Sequence, residues 1–211
     1  MSKQTVLSQL RRGLALPCSI VLGLMLGACG SHPIPDGQRF DSPDYNYVIG
    51  PGDTMEIFVW GNAELSTTGI VRPDGKLTTR LVEDLPASGK TSTELAREIE
   101  KVYSEYVRQP VVSVIVNGFV GVPEQQVRVV GEATKPSSVP YAQHMTLLDL
   151  MIAVGGMTEY AAGNKSVLVR TENGKQQSYG LRLDDLLKSG DISANMALRP
   201  GDIVIISESW F

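Results

Sequence analysis

Apolar residues in this chain form one long uncharged run before they begin to alternate with polar ones. The run covers residues 14–26. It is shorter than the roughly 20 apolar residues that span a bilayer, but it matches the core of a secretory signal peptide. We therefore predict that residues 1–28 are an export signal that is removed from the mature chain.

Further along, the apolar positions follow the period of a β-strand. Met55, Ile57 and Val59 share one face of a predicted strand because side chains alternate across a sheet. Phe58 and Trp60 make the opposite face apolar as well, so we expect both faces of this strand to be covered. On this interpretation Trp60 is a core residue.

A hairpin, a helix and a strand complete the first predicted domain. Residues 68–71 and 76–81 are predicted to pair around Arg72-Pro73-Asp74-Gly75, whose Asp-Gly step suits a tight reversal. Thr91-Ser92-Thr93-Glu94 is a capping box that starts a helix. Its predicted apolar face consists of Leu95, Ile99, Val102 and Tyr106. The β-branched run 111–116 predicts the next strand.

The second half mixes short strands with two helices. Two strands are predicted at 126–130 and near 139–141, and a last strand is predicted after residue 202. Residues 166–170 and 176–181 are predicted to form a hairpin about Asn173-Gly174. Thr146 caps an apolar helix that Gly155 and Gly156 end and that we expect to be buried; a short helix covers 183–188. This order of elements is β-grasp-like, and the whole chain belongs to the α+β class.

Two Pro-Gly-Asp triplets introduce strands in different halves of the chain. Pro51-Gly52-Asp53 follows Gly50, and Pro200-Gly201-Asp202 precedes the last predicted strand. Proline fixes φ at the second position of a turn, and glycine supplies the positive φ that a type II turn needs at the third. We predict that both triplets are structural turns and not ligand sites.

Composition divides the chain into four segments. Residues 1–28 are the signal peptide, and 29–46 are a lipid anchor followed by a flexible tether rich in proline, glycine and aspartate. Residues 47–120 form the first mixed domain. Residues 121–211 form the β-grasp-like domain, with the boundary in a stretch that contains two glycines and a proline.

The signal peptide ends in a lipobox. Leu26-Gly27-Ala28-Cys29 has the leucine and small residues that precede an acylated, palmitate-carrying cysteine. Several acyl chains anchor a protein stably because each buried methylene contributes about 0.8 kcal/mol. Gly30, which stands where an aspartate would retain the protein in the inner membrane, favours the outer membrane. Alternatives are a cysteine that merely ends a cleaved signal and twin-arginine export through Arg11-Arg12.

The mature chain offers few groups for metal, redox or nucleophilic chemistry. Cys18 lies in the removed segment and Cys29 would carry lipid, so no thiol remains for a disulfide or a nucleophile. His32 and His144 are the only imidazoles. We therefore expect no metal site and no cofactor.

Charge argues against a nucleic acid partner. Loss of Lys3, Arg11 and Arg12 with the signal peptide takes the formal net charge from −4 to −7. An acidic chain gives a polyanion no electrostatic attraction.

Three sequence patterns resemble catalytic or nucleotide-binding motifs only superficially. Gly89-Lys90-Thr91 lacks the earlier glycine of a phosphate-binding loop, because Asp84 occupies that position. Glu83-Asp84 and Asp184-Asp185 are adjacent carboxylates, whereas a glycosidase places its pair on opposite sides of the sugar bond. We expect no catalytic residues and no enzyme activity.

Several motifs in order resemble the outer membrane polysaccharide export lipoproteins. The first half resembles the polysaccharide export domain. Its motifs are Tyr47–Asp53, Ile57–Trp60, Val71–Gly75 and Gly89–Thr91. Those of the second half, which is similar to a soluble-ligand-binding β-grasp domain, are Val127–Glu132 with Pro136, Leu147–Ala153, Gly155-Gly156 and Leu198–Val204. The closing Glu208-Ser209-Trp210-Phe211 resembles the branch that accompanies exosortase systems.

The resemblance implies a homo-oligomeric ring, lipid-anchored to the outer membrane and facing the periplasm, around a polar channel for a nascent exopolysaccharide. It also implies an inner-membrane chain-length-determining co-polymerase as a partner. Large members add a C-terminal spanning helix, whereas this sequence ends shortly after its last predicted strand. Either a separate outer-membrane barrel completes the pore, or the protein forms only the periplasmic part.

A monomeric outer-membrane lipoprotein that binds a glycan or serves as an adaptor is the alternative function. Trp60, Trp210 and the tyrosines are the side chains that could stack on sugar rings, although no sugar-contacting residue is identified. Trp210 and Phe211 suit a membrane interface or a subunit contact equally well.

Overall fold

The computed structural model describes residues 45–209. The predicted signal peptide, the lipobox with Cys29 and most of the tether lie outside the described residues. Trp210 and Phe211 also lie outside them.

The first half of the described chain is a small sheet packed against one helix. Its elements are β1 (Thr54–Val59), β2 (Thr67–Ile70), β3 (Lys76–Leu77), β4 (Leu85–Pro86), α1 (Ser92–Tyr103) and β5 (Val112–Gly118). The strand order β2-β1-β5 is antiparallel throughout, and β3 pairs with β4 in a separate ribbon. Met55, Ile57 and Val59 share one buried cluster with the apolar side of α1.

Helix α1 begins as the capping box predicts but ends earlier than expected. The Glu94 N–H donates to Thr91 Oγ1 over 3.3 Å, and Glu94 Oε2 accepts the Thr91 N–H over 2.8 Å. The helix ends at Tyr103, which is fully buried. Tyr106, expected on the same apolar face, lies beyond the helix and is 62% exposed.

The predicted hairpin around residues 72–75 is wrong, although its turn exists. The Gly75 N–H donates to the Arg72 carbonyl over 2.8 Å. The flanking segments then separate, because β2 pairs with β1 and β3 pairs with β4. Leu77 is fully buried, and its side chain fills the space beside Gly69, where an added Cβ would lie 2.7 Å from a Leu77 methyl carbon. Burial of Leu77 therefore takes precedence over local strand pairing.

The second half of the described chain is a mixed sheet with two short helices. Its elements are β6 (Gln126–Gly131), β7 (Ser138–Pro140), α2 (Leu147–Ala153), β8 (Val167–Glu172), β9 (Lys175–Gly180), α3 (Leu183–Lys188) and β10 (Ile203–Ile206). The strand order is β7-β6-β10-β8-β9, with β10 parallel to β6 and antiparallel to β8. Central pairing of the first and last strands is the β-grasp-like arrangement, and the α+β class is confirmed.

Helix α2 is buried on one side only. Leu147, Leu150 and Met151 belong to the core of the second half. Ile152 is 71% exposed, so the prediction that the whole apolar helix is buried was wrong. One face of a helix is enough to cover a sheet, and the remaining face meets solvent. No helix within residues 45–209 combines the length and the hydropathy needed to cross a membrane.

Candidate functional site

The two Pro-Gly-Asp turns share one hydrogen-bonding pattern. The N–H groups of Asp53 and Asp202 donate over 3.2 Å to the carbonyls of Gly50 and Arg199, three positions earlier. Each carboxylate accepts a bond in return from the N–H of that same residue, over 2.9 Å from Gly50 and 2.7 Å from Arg199. The intervening glycines have φ values of +92° and +86°, in the region that a type II turn requires.

Asp53 also binds residues far from its own turn. Its Oδ1 accepts the N–H groups of Val120 and Gly121 over 2.7 and 2.8 Å, and its Oδ2 accepts the Tyr47 hydroxyl over 2.6 Å. The residue is fully buried. A buried carboxylate is tolerated when its oxygens are hydrogen-bonded, and Asp53 has four such donors.

Tyr47 completes this arrangement as a neutral donor. Burial raises the pKa of its hydroxyl, and the hydrogen bond to Asp53 raises it further. Its ring packs edge-on against Phe119 with the centroids 5.2 Å apart. Tyr47 therefore stays protonated at neutral pH and holds the Asp53 carboxylate.

Asp202 has a cationic partner instead. Its two carboxylate oxygens accept Arg170 Nε over 2.9 Å and Nη2 over 2.6 Å. The side chains of Arg170 and Asp202 are 2% and 1% exposed. Arg170 Nη2 also donates to the Ala197 carbonyl over 3.1 Å. This two-point ion pair fixes the turn that starts β10 against β8.

Both turns lie against the connecting segment, residues 119–126, which joins the two halves. A Cβ added to Gly50 would lie 2.1 Å from the Gly121 carbonyl carbon, so the two backbones touch here. A Cβ added to Gly201 would lie 3.2 Å from the Glu124 carbonyl oxygen, and the Gly201 N–H donates over 3.1 Å to the carbonyl of Gln126, the first residue of β6. The two triplets are therefore structural, and both hold their half of the chain to the same short segment.

Gln125 of the connecting segment binds the chain that enters the first half. Its Oε1 accepts the Val48 N–H over 3.0 Å and the Tyr45 hydroxyl over 3.3 Å. Its Nε2 donates to the Asn46 carbonyl over 3.0 Å. Tyr45 also packs edge-on against Tyr141, with ring centroids 5.0 Å apart. Residues 45 and 46, expected in the flexible tether, thus already contact the second half.

The open face of the first sheet carries two exposed aromatic side chains. Phe58 is 40% exposed and Trp60 is 71% exposed. Their rings meet edge to face with centroids 6.3 Å apart. The prediction that Trp60 is a core residue and that both faces of β1 are covered was wrong, because α1 packs only on the side of Met55, Ile57 and Val59.

Polar groups surround these rings on the same face. In the register of the sheet, Ser113 lies opposite Phe58, and Thr68 and Ile115 lie opposite Glu56 on either side. Glu56 and its three strand neighbours Thr68, Ser113 and Ile115 are all exposed. The face thus combines aromatic rings with a carboxylate and hydroxyl groups.

A shallow groove runs between α1 and the outer edge of β5. Its volume is about 170 Å³. Its lining residues are Ser92, Thr93, Ala96, Arg97, Val112, Ser113 and Val114. Ser113 belongs to this lining and to the open face, so the groove adjoins the aromatic pair.

The motifs that resemble a phosphate loop or a carboxylate pair are held in structural contacts. Thr91 is the N-cap of α1, and Lys90 Nζ forms an ion pair with Glu98. Asp84 pairs with Arg72 over 2.6 Å at the surface. These groups already serve the fold.

Asp184 and Asp185 are held similarly at the start of α3. Asp184 forms an ion pair with Lys188 Nζ over 2.7 Å, and its carboxylate accepts the Asn164 N–H over 2.9 Å. Burial alone would raise the pKa of Asp184, but these hydrogen bonds outweigh it and the pKa lies below its usual value. Asp185 accepts Asn164 Nδ2 over 2.8 Å. Among the described residues, no cluster of three or more His, Cys, Asp or Glu side chains is arranged to hold a metal ion.

Gly155 and Gly156 end α2, as the sequence indicates. Their φ values are +77° and +83°. The Gly156 N–H donates to the Met151 carbonyl over 2.8 Å, and the Thr134 N–H donates to the Gly156 carbonyl over 2.9 Å. This pair fixes the loop after β6 against the end of the helix.

Two protein-family models match the chain in succession. Residues 41–117 match the family described as polysaccharide biosynthesis/export protein. Residues 125–206 match the SLBB domain. Together the two matches include both turns and the open face of the first sheet.

Two curated proteins are similar to this chain. The EPS I polysaccharide export outer membrane protein EpsA of Ralstonia nicotianae is 29% identical over 190 residues, which are 77% of this chain and 47% of that protein. The exopolysaccharide production protein ExoF of Rhizobium meliloti is 32% identical over 133 residues, which are 56% of this chain and 30% of that protein. The chain thus spans less than half the length of either relative.

Proposed function

Because this chain belongs to the polysaccharide export protein family, we propose that it is a non-catalytic subunit of an envelope conduit through which an exopolysaccharide leaves the cell. The observation that carries this proposal is the succession of a polysaccharide export match and an SLBB match over residues 41–117 and 125–206. Both similar proteins are named for exopolysaccharide export or production.

We propose no catalytic reaction because the carboxylates that could take part in one stabilise the fold instead. The buried carboxylates Asp53 and Asp202 stabilise turns, and the carboxylates of Asp184 and Asp185 hold the start of α3 to Asn164. A conduit does not need catalytic residues, because it moves the polymer without a chemical reaction. Its selectivity arises from the width and the lining of its pore.

The domain division that we propose assigns residues 47–120 to the polysaccharide export domain and 121–211 to the SLBB domain. Two separate hydrophobic clusters support it, one in each half of the described chain. Strands β5 and β6 belong to different sheets on either side of the proposed boundary.

The location that we propose is the periplasmic side of the outer membrane, with Cys29 as the lipidated residue. The lipobox supports this anchor, and Gly30 supports outer-membrane sorting. One similar protein carries the words outer membrane protein in its name.

The partners that we propose are further copies of the same chain in a ring and an inner-membrane chain-length-determining co-polymerase. A separate outer-membrane barrel is the proposed continuation of the pore. The exosortase-associated branch remains a prediction from residues 208–211.

Deletion of the gene tests the proposed function. We expect the polymer to accumulate in the periplasm while extracellular polysaccharide falls, and plasmid-borne wild type to restore secretion. Periplasmic and extracellular polymer are quantified separately after osmotic shock. Unchanged secretion by the deletion strain contradicts the proposal.

The exposed aromatic face favours one second candidate, a monomeric glycan-binding adaptor. Trp60 is 71% exposed, so a single subunit can contact a ligand through it without assembly into a ring of subunits. An adaptor predicts that the acylated protein stays monomeric in mild detergent and still binds glycan, whereas a conduit subunit assembles.

A further inference from the structure

An aromatic strip lies on the open face of the first sheet. We use this name for Glu56 and Phe58, two outward side chains of the central strand β1, together with Trp60, the residue that follows β1. Trp60 is 71% exposed and Phe58 is 40% exposed. Large exposed aromatic groups that adjoin one another commonly mark a binding surface.

The strip is bordered by groups that form hydrogen bonds. Ser113 of β5 lies opposite Phe58, and Thr68 of β2 lies opposite Glu56. Hydroxyl groups both donate and accept, and the Glu56 carboxylate accepts. A ligand on this face would meet flat apolar rings and polar groups at the same time.

The groove beside β5 extends this polar border around the edge of the sheet. Ser92, Thr93 and Arg97 of α1 line it together with Ser113. Its volume of about 170 Å³ is small compared with the roughly 300–1,000 Å³ of pockets that enclose drug-sized ligands. The groove therefore suits a small protruding group of a ligand that lies mainly on the open face.

A saccharide chain has the chemistry that fits such a surface. A sugar ring presents C–H groups on one face, which pack on an aromatic ring, and hydroxyl groups around its rim, which bond to polar side chains. We propose that the aromatic strip binds a segment of the exported polysaccharide, with Trp60 and Phe58 as stacking rings and Glu56 and Ser113 as hydrogen-bonding partners. This inference rests on the proposed function.

The Glu56 carboxylate favours a saccharide over a protein partner. Glu56 has no ion pair among residues 45–209. A protein surface covering the strip would bury this charge and must supply a cation, since an unpaired buried charge is strongly unfavourable. In the head-to-tail contacts of a ring, the neighbouring subunit would likewise have to supply this cation. Sugar hydroxyls can donate to the carboxylate without any cation.

A binding experiment on the full-length acylated protein in detergent tests the proposal. The probes are short oligosaccharides from partial acid hydrolysis of the exopolysaccharide of the producing strain. Binding is measured by saturation-transfer NMR and isothermal calorimetry for wild type, Trp60→Ala and Tyr160→Ala. Tyr160 is a matched control because it is an aromatic residue of the second half with 61% exposure.

We expect Trp60→Ala to weaken binding about tenfold or more, equivalent to about 1.4 kcal/mol, and Tyr160→Ala to bind as wild type. Urea unfolding of Trp60→Ala should match wild type, because an exposed side chain contributes little to the core. Equal binding by Trp60→Ala and wild type overturns the proposal. The proposal is also overturned if the wild-type protein binds none of the oligosaccharides. This holds even if Trp60→Ala disrupts subunit assembly, because the exposed ring would then serve a subunit contact.

Secretion assays separate failure of this inference from failure of the proposed function. If the deletion strain secretes normally, the export function itself fails. If deletion stops secretion and Trp60→Ala restores it fully with unchanged oligosaccharide binding, only the aromatic strip proposal fails. Reduced secretion by Trp60→Ala supports it when oligosaccharide binding is also weakened, subunit assembly and protein level are normal, and Tyr160→Ala secretes normally.

Discussion

Asp53 and Asp202 show how one tripeptide can serve two different networks. Proline and glycine are sufficient for the turn itself, so the recurrence of aspartate needs a separate reason. Asp53 binds four neutral donors, two of them from the connecting segment. Asp202 forms a buried ion pair with Arg170. The third residue of each triplet therefore links its turn to a distant part of the chain.

Replacing Asp202 should strongly destabilise the protein. Asp202→Asn leaves the Arg170 guanidinium, 2% exposed, without its counter-charge. Breaking a buried pair from one side lowers the free energy of unfolding by about 3–5 kcal/mol. Urea denaturation followed by circular dichroism measures this loss.

Asp84→Asn is the control for that substitution. Asp84 pairs with Arg72 at the surface, where the side chains are 56% and 47% exposed. Exposed pairs contribute about 0–1 kcal/mol, so the control should stay close to wild type. Equal effects of the two substitutions would show that the buried pair has no special role.

Tyr47 should make stability depend on alkaline pH. Its folded-state pKa is raised, by burial first and by Asp53 next, above the value of about 10 of an unfolded tyrosine. The unfolded chain therefore loses this proton first, so the stabilisation is complete below about pH 10 and declines as the pH rises further. Tyr47→Phe has no such proton and should lose less unfolding free energy over the same rise.

Urea unfolding at several pH values between about 9 and 11 measures the difference. Tyr106→Phe is the control, because Tyr106 is 62% exposed. It should decline with pH as wild type does. A decline of Tyr47→Phe as steep as that of wild type is the contradictory result.

Contact between the first turn and the connecting segment requires a glycine at position 50. A Cβ there would lie 2.1 Å from the Gly121 carbonyl carbon and 2.5 Å from the Val122 nitrogen, and backbone atoms cannot yield as a flexible side chain does. Gly50→Ala should therefore separate the turn from the segment and lower the free energy of unfolding by about 1–3 kcal/mol, as overpacking does. Thermal and urea unfolding measure it.

Gly118→Ala is matched to Gly50→Ala because neither glycine has a positive φ. The nearest atom to a Cβ at 118 is the Thr54 Cβ, at an ordinary contact distance of 3.4 Å. This control should change stability little. If both alanines behave alike, the close approach at Gly50 does not limit packing.

Local patterns predicted the elements well where short-range interactions determine them. The capping boxes at Thr91 and Thr146 start α1 and α2. Asn173 and Gly174 have φ values of +52° and +75° in the turn between β8 and β9. Each signal needs only residues within a few positions of one another, so the sequence alone reveals it.

Pairing and burial over longer distances were not predictable in the same way. An Asp-Gly turn indicated a hairpin, but β2 pairs with β1 and β3 pairs with β4, and Leu77 of β3 is buried in the core. Alternation placed Phe58 and Trp60 correctly on one face, yet it could not show that the face stays open. The hydrogen bonds that Asp53 accepts from Val120 and Gly121 span 67 and 68 positions of sequence, so they could not be inferred from the turn motif.

In the whole molecule, the chain that enters the first half is fastened where the two halves meet. Gln125 binds three groups of residues 45–48, and Tyr45 packs on Tyr141. A tether from a lipidated Cys29 would therefore reach the folded chain at the connecting segment.

Loss of the acylated cysteine should change where the protein is found. Cys29→Ala removes the thioether link to lipid, so the protein should leave the outer-membrane fraction. Fractionation of cells that produce wild type and variant at equal levels, followed by immunoblotting, measures the distribution. Retention of Cys29→Ala in the outer membrane would refute the proposed anchor.

Imaging of the purified acylated protein tests the conduit directly. Negative-stain electron microscopy in several mild detergents, supported by light scattering, reports whether the subunits assemble. We expect closed rings of identical subunits that enclose a central opening. A strictly monomeric acylated protein under all of these conditions would contradict the conduit and leave the glycan-binding adaptor as the better interpretation.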